Sequence, residues 1–209
     1  MTAKPEKIHE SLAILRLLYT ELNEIVKLLD EADLKCKEEN NQINYVRYYV
    51  FYGRMILHAN SFIDEYKILK SEVNGKYNTD KLDKLIKPLN QRLSKWTHFD
   101  RYRNIYFAHN FRDKKANNRF IFFDDYLHTL NVPISHFDAK LIAKIIELMF
   151  VEIADFFNNE MFEATLFLGR AENDELRKNL YEKSVISETD YDNEVNRLQE
   201  TLNEIKTNY

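Results

Sequence analysis

The chain has 209 residues, enough for one domain, or one domain with an appendage, built around a real core. Three Gly and three Pro are too few for the turns of a multi-stranded protein, so long helices are expected. A charged fraction of 31%, a net charge of -4 and a mean hydropathy of -0.53 describe a soluble protein, and no apolar run approaches the ~18 residues of a membrane span.

Pro5 to Asp33 predicts the first helix. Ile8, Leu12, Leu15, Tyr19, Leu22, Val26 and Leu29 recur at spacings of three and four, one apolar stripe. Pro5 suits the first turn, where its missing N–H costs nothing. Cys36 follows in the charged stretch "DLKCKEEN". It reads as an incidental thiol, since nothing nearby would lower its pKa. A lone cysteine excludes an internal disulfide, and Met1 opens no signal-peptide pattern, so a reducing cytoplasm is the expected location.

"KEENNQ" is a polar connector. A second helix, Asn44 to Val73, carries Val46, Tyr49, Val50, Phe51, Ile56, Leu57, Phe62, Ile63 and Ile68 around much of its circumference and is expected to be central. Gly75 stands just past its last turn, where a left-handed cap is easiest. A short helix, "TDKLDKLIK", is expected to stop at Pro88. A third long helix then runs from Leu89 to Phe111. "RDKKANN" reads as a loop, "RFIFFDDY" as a short strand or extended segment, and "HTLNVPIS" as irregular.

Ser135 and Asp138 form a capping-box pattern for a fourth long helix, Phe137 to Leu168. Its expected stripe is Leu141, Ile145, Leu148, Ile153 and Phe156. After a charged stretch, Asp190 to Thr207 carries a thin stripe of Val195, Leu198, Leu202 and Ile205. The predicted fold is all-α: an antiparallel helical bundle of four or five long helices over residues 1–168. Residues 169–209 form a C-terminal helical extension that docks on the bundle or on a dimer mate.

Charge is unevenly spread. Residues 76–119 hold 12 Lys and Arg against 4 Asp, an excess of +8, which leaves -12 on the rest of the chain. Such a protein repels polyanions over most of its surface and admits them at one place. The six histidines are scattered, with no HExxH, no His pair four apart and no Cys pair, so no metal or other cofactor is expected. No phosphate-cradling Gly loop and no G-x-S-x-G is present. Asp64–Glu65 and Asp124–Asp125 are adjacent acids; helical neighbours diverge by ~100°, so Asp64 and Glu65 are not a two-carboxylate site by themselves.

"RYRNIYFAHN", Arg101 to Asn110, lies inside the basic block. On a helix, Arg103 and His109 are separated by ~120° of azimuth and ~9 Å of rise, so they do not share one face. Arg103 shares its face with Phe107 and Asn110, and His109 shares its face with Tyr102 and Ile105. Tyr106 lies between them. A bidentate guanidinium beside a histidine in basic surroundings suits phosphate recognition.

"RNIYFAH" resembles the Arg-polar-x(3)-Ala-His core of the HEPN superfamily, whose motif is an Arg, four to six residues, and a His. The resemblance covers Asn44 to Leu168. It implies a helical bundle of prokaryotic defence, stress-response or toxin–antitoxin systems, and a metal-independent endoribonuclease. By this resemblance Arg103 and His109 are the catalytic pair, with Asn104 at the polar position after Arg. Tyr106, Asn110, Arg101 and Arg112 are the accompanying candidates for substrate binding. Some members add an acidic residue on the preceding helix, for which Asp64 and Glu65 are the candidates here. In one toxin branch a Tyr two residues after the His is nucleotidylated by a partner antitoxin. Phe111 stands there in this chain, which departs from that mode of control.

Cleavage of RNA by its own ribose 2′-OH needs a base for that hydroxyl, an acid for the leaving 5′-oxygen and a cation for the phosphorane. An unperturbed His titrates near pH ~6.5 and serves as base or acid, each role worth on the order of 10²–10⁴ in rate. Arg holds the non-bridging oxygens. One chain offers one such His; two protomers about a two-fold axis offer two. The expected partners are therefore RNA, a second copy in a homodimer with a composite site, and an antitoxin protein, with no membrane. Tyr102, Tyr106, Phe107 and Phe111 stack on bases, or else fill the core or the dimer interface. The alternative function is a non-catalytic HEPN-like module that binds RNA or protein.

Overall fold

The computed structural model describes residues 6–39, 42–103, 112–113, 119–120 and 131–171, together with 189, 192–193, 196–197 and 200. The described residues form an all-α helical bundle. Its elements are α1 (Lys7–Glu39), α2 (Gln42–Val73), α3 (Asp80–Leu93), α4 (Phe99–Arg103), α5 (His136–Phe156) and α6 (Asn158–Ala171). A two-residue antiparallel ladder pairs β1 (Arg112–Asp113) with β2 (Arg119–Phe120), Arg112 opposite Phe120. The chain divides into two compact units, Met1–Phe167 and Leu168–Tyr209. The stripe expected between Asp190 and Thr207 lies outside the described residues.

The stripe of α1 behaves as its period requires. Ile8, Leu12, Leu15, Leu22 and Leu29 are buried, while Tyr19 and Val26 are half-buried. The helix continues past Asp33 to Glu39, carrying Cys36 into a buried position. Burial pushes the Cys36 thiol up, and the charge of Asp33 adds to the effect. The thiol is therefore a small apolar filler rather than a nucleophile.

Helix α2 runs back along α1. Lys7 pairs with Glu72 at 3.6 Å, Glu21 with His58 at 2.8 Å, and the Asn44 amide donates to the Lys35 carbonyl at 3.4 Å. The two residue numbers in each pair have the same sum, so the helices are antiparallel in one register along their whole length. Beneath these pairs, Met55, Ile56, Phe62 and Leu69 of α2 are fully buried. Each such side chain stabilises the fold by roughly 1.5–3 kcal/mol. Helix α2 also packs against α4 and α5, so it touches three other helices, but Val46, Val50 and Ile68 of its expected apolar circumference are exposed. Gly75, with φ of 76°, takes the left-handed cap, and the N–H of Tyr77 returns to the Val73 carbonyl at 3.1 Å.

Other expected helix boundaries also move. Helix α3 does not stop at Pro88 but continues through it to Leu93. Leu82, Ile86 and Leu93 form a buried face, whereas Pro88 is exposed. The hydrogen bond that proline removes is lost on the solvent side, and burial of the opposite face offsets the loss. The expected third long helix, Leu89 to Phe111, is instead interrupted by turns from Ser94 to His98 before α4 begins.

The expected helix Phe137–Leu168 is likewise divided, at Phe157 (φ -104°, ψ 38°). Phe157 is fully buried and meets the edge of Tyr77 at 5.4 Å between ring centres. The bonds Phe157 N–H to Ile153 and Met161 N–H to Phe157 persist at 2.9 and 2.7 Å, so the break is a kink anchored by one aromatic side chain. The Ser135–Asp138 capping box forms in both directions, at 3.0 and 3.1 Å. On α5, Ile145 and Ile153 of the expected stripe are buried, but Leu141 and Leu148 are exposed. Ile142, Ile146 and Met149 take the inward positions instead. Helix α5 packs on α1, α2 and α3, and Tyr19 stacks on Phe150 at 4.3 Å.

Candidate functional site

Arg103 is the last described residue of α4. The short helix is held from both sides. Trp96 and Phe99, both buried, stack 6.3 Å apart, and the Arg92 guanidinium lies 4.2 Å over the Trp96 ring. Asn131 closes the other side. His98 N–H donates to the Asn131 carbonyl at 3.1 Å, Asn131 N–H donates to His98 Nδ1 at 3.3 Å, and the Asn131 amide donates to the Lys95 carbonyl at 2.8 Å. These contacts join the turns before α4 to the residues that lead into α5.

From this position the Arg103 Nη1 donates to Asp64 Oδ2 of α2 at 2.6 Å. The other carboxylate oxygen, Oδ1, accepts from Lys67 Nζ at 2.9 Å, one helical turn further along α2. Partial burial alone would raise the Asp64 carboxyl. The hydrogen bonds from Lys67 and Arg103, and their charges, outweigh it and hold the carboxyl below the usual carboxylate range. Asp64 is therefore an anion between two cations. The Arg103 side chain is 29% exposed and that of Asp64 46%, so the pair is reachable from solvent.

Of the two adjacent acids weighed from the sequence, Asp64 is the one that reaches Arg103. Glu65 follows it by ~100° around the helix and so points elsewhere. Among the sequence-predicted site residues, Asn104, Tyr106, His109 and Asn110 lie outside the described residues, as does Asp124–Asp125. Arg101 belongs to α4 and Arg112 to β1, where only their backbones are described. Lys67, Trp96 and Asn131 were not singled out from the sequence. A Lys three residues after a helical Asp was a legible signal for the first, and the lone Trp beside a basic helix for the second; Asn131 carried none.

Among the described residues, no three His, Cys, Asp or Glu side chains gather as a metal-ligand set. No helix among them is long and apolar enough to cross a membrane. No family model, curated protein or solved structure matches the chain.

Proposed function

We propose that this protein is a HEPN-like, metal-independent endoribonuclease that acts as a homodimer in bacterial defence, stress response or a toxin–antitoxin system. The observation that carries the proposal is the 2.6 Å bond from Arg103, at the start of "RNIYFAH", to Asp64 on the preceding long helix. An acidic residue at that place is what the resemblance implies for some members. A guanidinium carries five N–H donors, and Nη1 supplies the bond to Asp64. A phosphate approaching the guanidinium plane would meet a cation whose direction is already set. The surrounding +8 block draws the polyanion toward it.

In this reading Arg103 stabilises the phosphorane, His109 of one protomer is the base, and His109 of the other protomer is the acid. The test is metal-free incubation of the purified protein with mixed RNAs in the presence of a chelator. Products ending in 2′,3′-cyclic phosphate are expected. His109→Ala should abolish them, and Arg103→Ala should slow their formation by about 10²-fold. Undiminished cleavage by a clean His109→Ala preparation would remove the catalytic assignment.

A second reading is favoured by the same ion pair. Asp64 already neutralises Arg103, as it would in a non-catalytic module where the pair only ties α4 to α2. That module would bind RNA or a protein partner without cleaving it. RNA binding that weakens steeply between low and moderate salt, with no cleavage, would select it.

A further inference from the structure

Helix α3 buries Leu82, Ile86 and Leu93 on one side and turns Lys81, Lys84 and Lys87 to solvent on the other. Three residues apart, these lysines fall within an arc of ~120° and rise ~4.5 Å at each step. Lys95, in the turns that follow, is exposed as well. Four lysines on other helices close pairs with a carboxylate three or four positions away: Lys27 with Glu24, Lys37 with Asp33, Lys67 with Asp64 and Lys144 with Glu147, at 2.6–2.9 Å. Lys84 and Lys87 stand four residues after Asp80 and Asp83, the favourable order for such a pair, yet neither pair forms. Lys70 of α2 holds both oxygens of Asp83, at 2.6 and 2.5 Å, and the Thr79 hydroxyl donates to one of them at 3.1 Å. Among the described residues, no ion pair uses Lys81, Lys84, Lys87 or Lys95. With Asp83 neutralised by Lys70, residues 80–100 hold Lys81, Lys84, Lys87, Arg92 and Lys95 against two other carboxylates, Asp80 and Asp100.

A row of like charges with no internal partner gains from an anion that spans several of them. Its composition separates two kinds of polyanion. Protein interfaces are built on aromatic and apolar anchors and are depleted in Lys, whereas Leu85 is the one large apolar side chain that α3 exposes. A phosphate backbone is met by Lys as a point charge on a flexible stem, without any such anchor. The far end of the row is fastened to the candidate site. The Arg92 guanidinium lies 4.2 Å over the Trp96 ring, Trp96 stacks on Phe99 of α4, and α4 carries Arg103 to Asp64. We propose that the solvent face of α3 is a track for an RNA backbone, running roughly 20 Å from Lys81 to Lys95 and delivering the strand to Arg103. This deepens the ribonuclease reading and rests on it for the class of polyanion. Contacts to phosphate position a strand without reading its bases, so the track binds without sequence preference.

The test measures binding rather than cleavage. A labelled, non-cleavable 2′-O-methyl RNA of mixed sequence is titrated into the full chain over a series of salt concentrations. Lys81→Gln, Lys84→Gln and Lys87→Gln together should lower the slope of log affinity against log salt by about 2, since each phosphate contact on a single strand contributes about 0.7. At ~0.1 M salt that is about a 100-fold loss of affinity. Gln and Lys have similar helix propensity and the three sites are exposed, so the melting temperature should stay level. The same three positions changed to Arg should keep the wild-type slope. Lys27→Gln, Lys37→Gln and Lys144→Gln together remove as much charge from paired sites and should change affinity less than about 3-fold. Equal losses in the two Gln variants overturn the proposal, because net charge rather than this face would then govern binding. An unchanged slope in the α3 variant overturns it too. A poly-glutamate of matched charge that binds as tightly as the RNA, with the same loss in the α3 variant, overturns it in favour of an acidic protein partner. Failure of the ribonuclease reading would register differently, as intact α3-dependent RNA binding without cleavage of ordinary RNA.

Discussion

Between α1 and α2, polar pairs fall in one register from end to end, over a continuous seam of buried Leu, Ile, Met and Phe. From Asp80 to Arg103 the chain instead carries a proline inside a helix, then five residues of turn before α4. That second region is held by particular contacts: Lys70 to Asp83 at 2.6 Å, Arg92 over Trp96, Asn131 against His98 and Lys95, and Arg103 to Asp64. Burial in the α1–α2 hairpin is spread over many apolar side chains, so exchange of any one of its surface contacts is expected to cost little. The region bearing the candidate site has few buried side chains per turn, so single polar contacts decide where its residues point. A scaffold made by periodicity thus presents a site made by specific pairs.

The largest expected effect tests the hairpin. Phe62, fully buried in α2, should cost about 3–5 kcal/mol when truncated to Ala, through lost transfer energy and the cavity left behind. Chemical denaturation would read this as a lower midpoint with an unchanged slope. A loss below 1 kcal/mol would mean that the seam can collapse around the gap, and the contrast with the second region would weaken.

Pro88→Ala should act in the opposite direction. It restores an N–H inside α3 on an exposed face, against some loss of restriction in the unfolded chain, so stability should rise by about 2 kcal/mol. Destabilisation instead would show that the proline positions α4, and activity should then fall with it. Gly75, at the junction of the two regions, is predicted to lose about 1 kcal/mol on change to Ala. A Cβ there meets nothing within 4 Å, so the cost is that of the positive φ alone.

The smallest effect on stability is expected at the link between the regions. Asp64→Asn removes two partly exposed ion pairs, to Arg103 and to Lys67, together worth no more than ~1 kcal/mol. Its pH dependence is the sharper test. The folded carboxyl titrates below its unfolded value, so its contribution is present above about pH 4 and is lost as pH falls through the depressed folded value. Wild type and Asp64→Asn should therefore differ at pH 6, and the difference should shrink as pH falls below about 4. A difference that does not shrink on acidification would show that the carboxylate is not what ties α4 to α2.

Much of the bundle was legible in the residues. The stripe of α1, the reach of α2 to Val73, the cap at Gly75 and the Ser135–Asp138 box all follow from spacing and local backbone preference. The α5 stripe was misjudged at Leu141 and Leu148, because this helix is rich in apolar residues on more than one side and only its neighbours select the inward face. Pro88 and Phe157 misled in opposite ways. A proline that should end a helix lies within one, and a helix that should continue bends where one Phe side chain enters the core.

For the candidate site, composition singled out the basic block, and the motif singled out Arg103. Neither could choose between Asp64 and Glu65, or assign any role to Asn131. Local physics acts between residues a few positions apart, and it determined the helices, their caps and their apolar faces. Asp64 and Arg103 are separated by 39 positions, and His98 and Asn131 by 33, so no periodicity couples them. Only the packing of α4 against α2, and of the turns before it against the approach to α5, brings those charges and amides within bonding distance.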